Sequence, residues 1–102
     1  MGTGSWLLVG QQRAMELTFG SSAHGAGRRL SRSAAKKAAR GRSVGRELED
    51  RHGVVVAAGD RGTLGEEMPE AYKDVDAVVD VLEAAGLARR VARLRPLGVI
   101  KG

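Results

Sequence analysis

The chain is 102 residues long, so it forms one domain at most, and a domain of this size buries only about two thirds of its unfolded surface. Its aromatics are Trp6, Phe19 and Tyr72 alone, so the core must be built from Val, Leu and Ala, and 15 glycines exceed the usual share. The absence of cysteine excludes disulfides, thiolate metal sites and a cysteine nucleophile, and no apolar run approaches the roughly 20 residues that span a bilayer.

The formal charge of +5 lies in the first half, where nine Lys and Arg stand against four acids, while residues 51–102 balance. Every charge from Arg28 to Arg46 is basic, a block that attracts phosphate in a nucleotide, a nucleic acid or a membrane surface. The opening MGTGSWLLVG lacks the basic leader and small-residue cleavage site of a secretory signal, so a soluble cytoplasmic chain is the expectation.

In chain order, SWLLVG (5–10) is expected as a short buried strand between glycines. QQRAMELTF follows as a helical turn or two, with Ala14, Leu17 and Met15 inward and Gly20 ending it. Residues 20–27 are a glycine-rich loop. From Leu30 to Ala39 the residues favour a helix capped by Ser31, on which Arg28, Arg32, Lys36 and Arg40 form one stripe; alone, such a stripe is ordinarily a solvated face. GRSVGRELEDRHG is expected to be a helix ended by Gly53, with His52 as a C-terminal cap, and VVVAA is a β-branched strand. DVDAVVDVLEAAG gives the clearest helix: Val75, Val78, Val79 and Leu82 share a face, Asp74 caps the front and Gly86 closes the back. ARRVARLRPLGVIKG is extended, with Pro96 preventing helix.

These elements predict an α+β fold in which helix 74–85 covers a short mixed sheet of residues 5–10, 54–58 and 88–94. A strand close to Met1 and an apolar final segment are what a partial domain of a larger fold would show.

The loop AHGAGRR carries the chemistry. A neutral imidazole is a nucleophile toward phosphorus, and glycines at 25 and 27 allow a phosphate close to the backbone. Arg28, Arg29 and Arg32 stand next to it to offset charge developing in a transition state, beside a helix start. The pattern suits phosphoryl or nucleotidyl transfer, although a loop histidine is more often simply solvated.

MGTGSWLLVG, GSSAHGAGRRLSRSAA and EAYKDVDAVVDVLEAAGLARRVARLRPLGVIKG together resemble the carboxy-terminal part of the RtcB family of RNA-splicing and RNA-repair ligases, in order and spacing over nearly the whole chain. The resemblance implies a GTP- and Mn²⁺-dependent enzyme that joins an RNA 3′-phosphate, or 2′,3′-cyclic phosphate, to a 5′-hydroxyl, on tRNA halves or damaged RNA. It places guanylylation on His24 and guanylate contacts on Ser5, Ala26, Gly27, Tyr72 and Lys101. Arg28 and Arg32 fall where the family meets phosphate or RNA.

The family commonly has Cys before the histidine, where this chain has Ala23. The resemblance also implies that the manganese ligands lie in an amino-terminal portion absent from residues 1–102, supplied by a longer chain or a separate polypeptide. The isolated chain is then expected to be inactive. Two other readings are a basic RNA-binding module without catalysis and a non-functional truncated remnant.

Overall fold

Val55 and Ala57 are exposed while Val56 and Ala58 are partly buried, the period-2 alternation of a strand with one covered face. In the computed structural model, which describes residues 1–102 with the exception of the side chain at position 61, this strand belongs to one of two compact units. The first unit comprises residues 1–4, 28–72 and 95–102; the second comprises residues 5–27 and 73–94.

In the first unit, Ser31 Oγ accepts from the Ala34 N–H and starts the helix Arg32–Ala38. In chain order the helices of the molecule are α1 (Gln12–Thr18), α2 (Arg32–Ala38), α3 (Val44–His52), α4 (Arg61–Leu64) and α5 (Val75–Ala84). The strands are β1 (Ser5–Gly10), β2 (Val55–Ala58), β3 (Ala88–Leu94) and β4 (Gly98–Lys101). Helix α3 stops at Gly53, whose φ of 63° lies in the left-handed region that glycine adopts without cost to a Cβ. Strand β2 pairs with β4 in parallel, Val55 opposite Gly98 and Ala58 opposite Lys101.

The core of this unit is Ala35, Ala39, Val44, Leu48, Val54, Leu64, Met68 and Ala71, drawn from α2, α3, α4 and the segments flanking them. Val56, Ala58 and Val99 press on it from the inner face of the β2–β4 sheet. Between β2 and the end of the unit the chain runs through α4 and two 3₁₀ turns, Gly65–Glu67 and Pro69–Ala71. These short turns place Glu66, Glu67 and Tyr72.

In the second unit β1 pairs antiparallel with β3, Ser5 opposite Leu94 and Gly10 opposite Ala88, with a register irregularity between Leu7 and Leu8. Helix α5 starts as the sequence requires, with the Asp74 carboxylate accepting from the Asp76 N–H, and it buries Val79 and Leu82. The indole N–H of Trp6 donates to Asp76 at 2.7 Å, joining β1 to α5, and Arg93 holds the other Asp76 oxygen at 3.1 Å. Replacing Asp74 by alanine is expected to destabilise this unit by about 1 kcal/mol, seen as an earlier urea transition in Trp6 fluorescence.

Two expectations are corrected. Residues 54–58 do not join 5–10 and 88–94 in one sheet: parallel and antiparallel pairings both occur, but in separate two-stranded sheets. Their partner is β4, the end of the segment 88–102 expected as a single extended piece. Met15 and Leu17 are not inward, being 60% and 55% exposed; a seven-residue helix of this unit buries only Ala14. The α+β architecture of several helices and small sheets stands.

Candidate functional site

Pro69 opens the second 3₁₀ turn, and fully buried Ala71 anchors its end, leaving Tyr72 extended at φ −106°. The Ala71 carbonyl accepts from the N–H groups of Arg29 and Leu30, at 2.8 and 3.2 Å, and Arg28 and Tyr72 form an isolated antiparallel bridge. The loop arginine is thereby tied to the tyrosine 44 residues later. The Arg28 guanidinium lies 4.7 Å from the Tyr72 ring centroid, donates to its hydroxyl at 2.8 Å, and also donates to the carbonyls of Leu30 and Glu66.

One carboxylate collects this group. Glu67 accepts from the Tyr72 hydroxyl, lies 3.5 Å from the Lys101 ammonium, and lies 3.7 Å from Arg28, with its own side chain only 15% exposed. Its neighbour Glu66 pairs with Lys36 at 2.6 Å and with Arg32 Nε at 3.5 Å. The stripe read along α2 is therefore not a set of free cations: Arg32 and Lys36 face Glu66.

Burial raises the Tyr72 phenol above its ordinary value, and the Glu67 carboxylate adds to that rise. Burial also pushes Glu67 up, but the Tyr72 hydrogen bond, Lys101 and Arg28 outweigh it and hold the group below its ordinary 4.5. Lys36 lowers Glu66, chiefly through their hydrogen bond, and Glu66 raises Lys36 in return.

Because both carboxylates bind protons more weakly when folded, their contribution is present above pH 4.5 and lost as pH falls through their folded values. The urea midpoint of the first unit, followed at Tyr72, is expected to fall as pH is lowered from 5 toward about 3. Removing Glu66 and Glu67 together (E66Q/E67Q) should lessen that slope, the remainder belonging to Glu47 and Glu70, which are also held below their ordinary value.

The histidine belongs to the second unit. His24 is exposed in a bend, and beside it a Cβ at Gly25 would meet nothing within 4 Å. Gly27 has a φ of 74°, and its carbonyl accepts from the Lys73 N–H at 3.0 Å, which pins the loop to the entry of α5. Ser5 opens β1 and is exposed. Thus the residues assigned to nucleotide and phosphate fall into two groups: Arg28, Tyr72 and Lys101 gather on Glu67, with Arg32 on Glu66, while His24, Ala26, Gly27 and Ser5 lie in the other unit.

Glu66 and Glu67 were missed by sequence reasoning. Their only signal was a pair of adjacent acids in residues 59–71, a stretch where neither periodicity nor capping marked an element. His52, expected as a cap, is the last residue of α3 and its ring packs on Gly2.

The donors gathered in the first unit suit a nucleotide: a phenol with an aromatic face, an ammonium and a guanidinium. They do not suit manganese, since among the described residues no three His, Cys, Asp or Glu are grouped to hold a metal. No helix among the described residues is long and apolar enough to cross a membrane.

Residues 1–102 match the family described as "tRNA-splicing ligase RtcB". Proteins of that name are similar over all 102 residues: 57% identical in Archaeoglobus fulgidus, 55% in Nanoarchaeum equitans and 54% in Methanopyrus kandleri. These relatives define the class of protein, a ligase family named for tRNA splicing. The chain belongs to the RtcB family. It spans about a tenth to a fifth of the curated relatives' length, 10% of the M. kandleri protein and 21% of the other two.

Proposed function

We propose that this chain is the histidine-bearing, carboxy-terminal part of a GTP- and Mn²⁺-dependent RNA ligase that joins 3′-phosphate, or 2′,3′-cyclic phosphate, to 5′-hydroxyl ends. The observation that carries it is the family match across every residue, with His24 exposed on a loop whose flanking glycine leaves room for a phosphate. In this reading an imidazole nitrogen of His24 attacks the α-phosphorus of GTP, a P–N bond forms, and pyrophosphate leaves. Water first opens a 2′,3′-cyclic end to the 3′-phosphate with release of the 2′-hydroxyl; the P–N bond then breaks as the RNA 3′-phosphate takes the guanylate. Attack by the 5′-hydroxyl on the activated 3′-phosphate forms the phosphodiester and expels GMP.

Ala26 and Gly27 offer backbone to the guanylate, with Ser5 as a hydroxyl contact. Tyr72 supplies an aromatic face to the base, and Lys101 supplies a donor. Arg28 and Arg32 meet phosphate or RNA. Manganese would neutralise the triphosphate, and because the present residues do not form its site, no step is assigned to this chain through it. The isolated chain is inactive in this reading and depends on the amino-terminal portion, in the same or another polypeptide.

A purely RNA-binding role draws less support. Of the eight basic residues from Arg28 to Arg46, four (Arg28, Arg32, Lys36 and Arg42) already face the carboxylates Glu67, Glu66, Glu47 or Glu70.

The test is to mix the chain with Mn²⁺ and GTP labelled at the α-phosphate, with and without a polypeptide supplying the amino-terminal portion of a relative. Acid-labile label on this chain only in the complemented mixture is the expected result. A complemented mixture that stays unlabelled, under conditions where the intact relative is labelled, overturns the reading.

A further inference from the structure

We propose that Glu67 is a positioning residue for nucleotide binding, the carboxylate that holds Tyr72, Lys101 and Arg28 where a guanine nucleotide meets them. The inference rests on the proposed function for the roles of those three residues and adds a residue to which no role has been assigned.

Three independent parts of the first unit send a side chain to this one group: the Tyr72 hydroxyl from the end of a 3₁₀ turn, the Lys101 ammonium from β4, and the Arg28 guanidinium from the loop before α2. Tyrosine and lysine engage different oxygens, Oε2 and Oε1, so one carboxylate fixes both without competition. Lysine carries four rotatable carbons and loses much rotamer freedom when it is held; an anchoring carboxylate meets that cost before any nucleotide arrives. Arg28 closes the arrangement by donating to the same hydroxyl that donates to Glu67. With the carboxylate only 15% exposed, these contacts are weakly screened compared with those of a surface pair.

Removing the carboxylate leaves Tyr72, Lys101 and Arg28 chemically intact but unanchored. Nucleotide binding should then weaken while the reaction at His24, in the other unit, keeps its intrinsic rate. Glu67→Ala removes every contact. Glu67→Gln keeps an acceptor for the phenol and drops the charge facing Lys101 and Arg28, and its near-equal size guards against a variant that fails to fold.

The test has two readouts. Tyr72 is the chain's sole tyrosine, so phenolate absorbance against pH follows it alone in the isolated chain. Its midpoint should move down toward the ordinary 10.0 in Glu67→Ala, and less so in Glu67→Gln. In the complemented mixture, KM for GTP in His24 labelling should rise about tenfold or more in Glu67→Ala, and by an intermediate factor in Glu67→Gln, with kcat within about twofold of the parent.

An unmoved phenol midpoint in both variants overturns the proposal, and so does an unchanged KM or a loss confined to kcat. If the parent mixture takes up no guanylate, it is the proposed function that falls. The phenol titration still judges whether Glu67 anchors Tyr72.

Discussion

His24→Ala abolishes guanylate labelling in the complemented mixture, a loss on the order of 10⁴- to 10⁶-fold if the imidazole is the covalent nucleophile. The size follows from the chemistry: the variant loses the nitrogen that forms the P–N bond in the proposed mechanism, so what remains is background. The only other histidine, His52, is at the far end of α3 with its ring against Gly2. His52→Ala should therefore leave the label in place, which makes it the control for a nonspecific effect of removing an imidazole. Label retained in His24→Ala would assign the nucleophile elsewhere and end the proposed mechanism.

Leu48→Ala should produce the largest loss of stability, about 2–5 kcal/mol. Leu48 is 1% exposed and, with Val54, is one of the two largest fully buried side chains among the described residues. It sits at the centre of a core otherwise made largely of alanine and valine, where few neighbours can move in to fill the space. Against a usual total of about 5–15 kcal/mol, such a cavity removes a large part of what holds the first unit folded. Urea denaturation followed at Tyr72, in the same unit, measures it. Leu48→Met conserves volume and should cost less than about 1.5 kcal/mol; an alanine variant no weaker than the methionine one would remove Leu48 from the core's centre.

The parts of the fold legible in the sequence are those whose causes are local. Asp74 caps α5, Val79 and Leu82 form its buried face, Ser31 caps α2, and Gly53 ends α3 in the left-handed region, all as the residues require. The glycine-flanked histidine was legible for the same reason: room and chemistry are adjacent in the chain. Phe19, by contrast, is 94% exposed with a positive φ of 54°, and nothing in its neighbouring sequence signals that placement. Met15 and Leu17 were misjudged because a short helix has two or three candidate apolar faces, and only the partner element selects one.

By itself, then, the sequence determined the helices and strands that carry a local signal, the basic block and the glycine-flanked imidazole, since spacing, capping and backbone freedom act over a few residues. Tertiary structure alone decided that β2 pairs with β4, that Asp76 receives Trp6 from 70 residues away, and that half the basic block is matched by acids. It also made Glu67 the meeting point of Tyr72, Lys101 and Arg28. Ion pairs and hydrogen bonds act over a few ångströms in space, whatever the separation along the chain, so no window of sequence contains them.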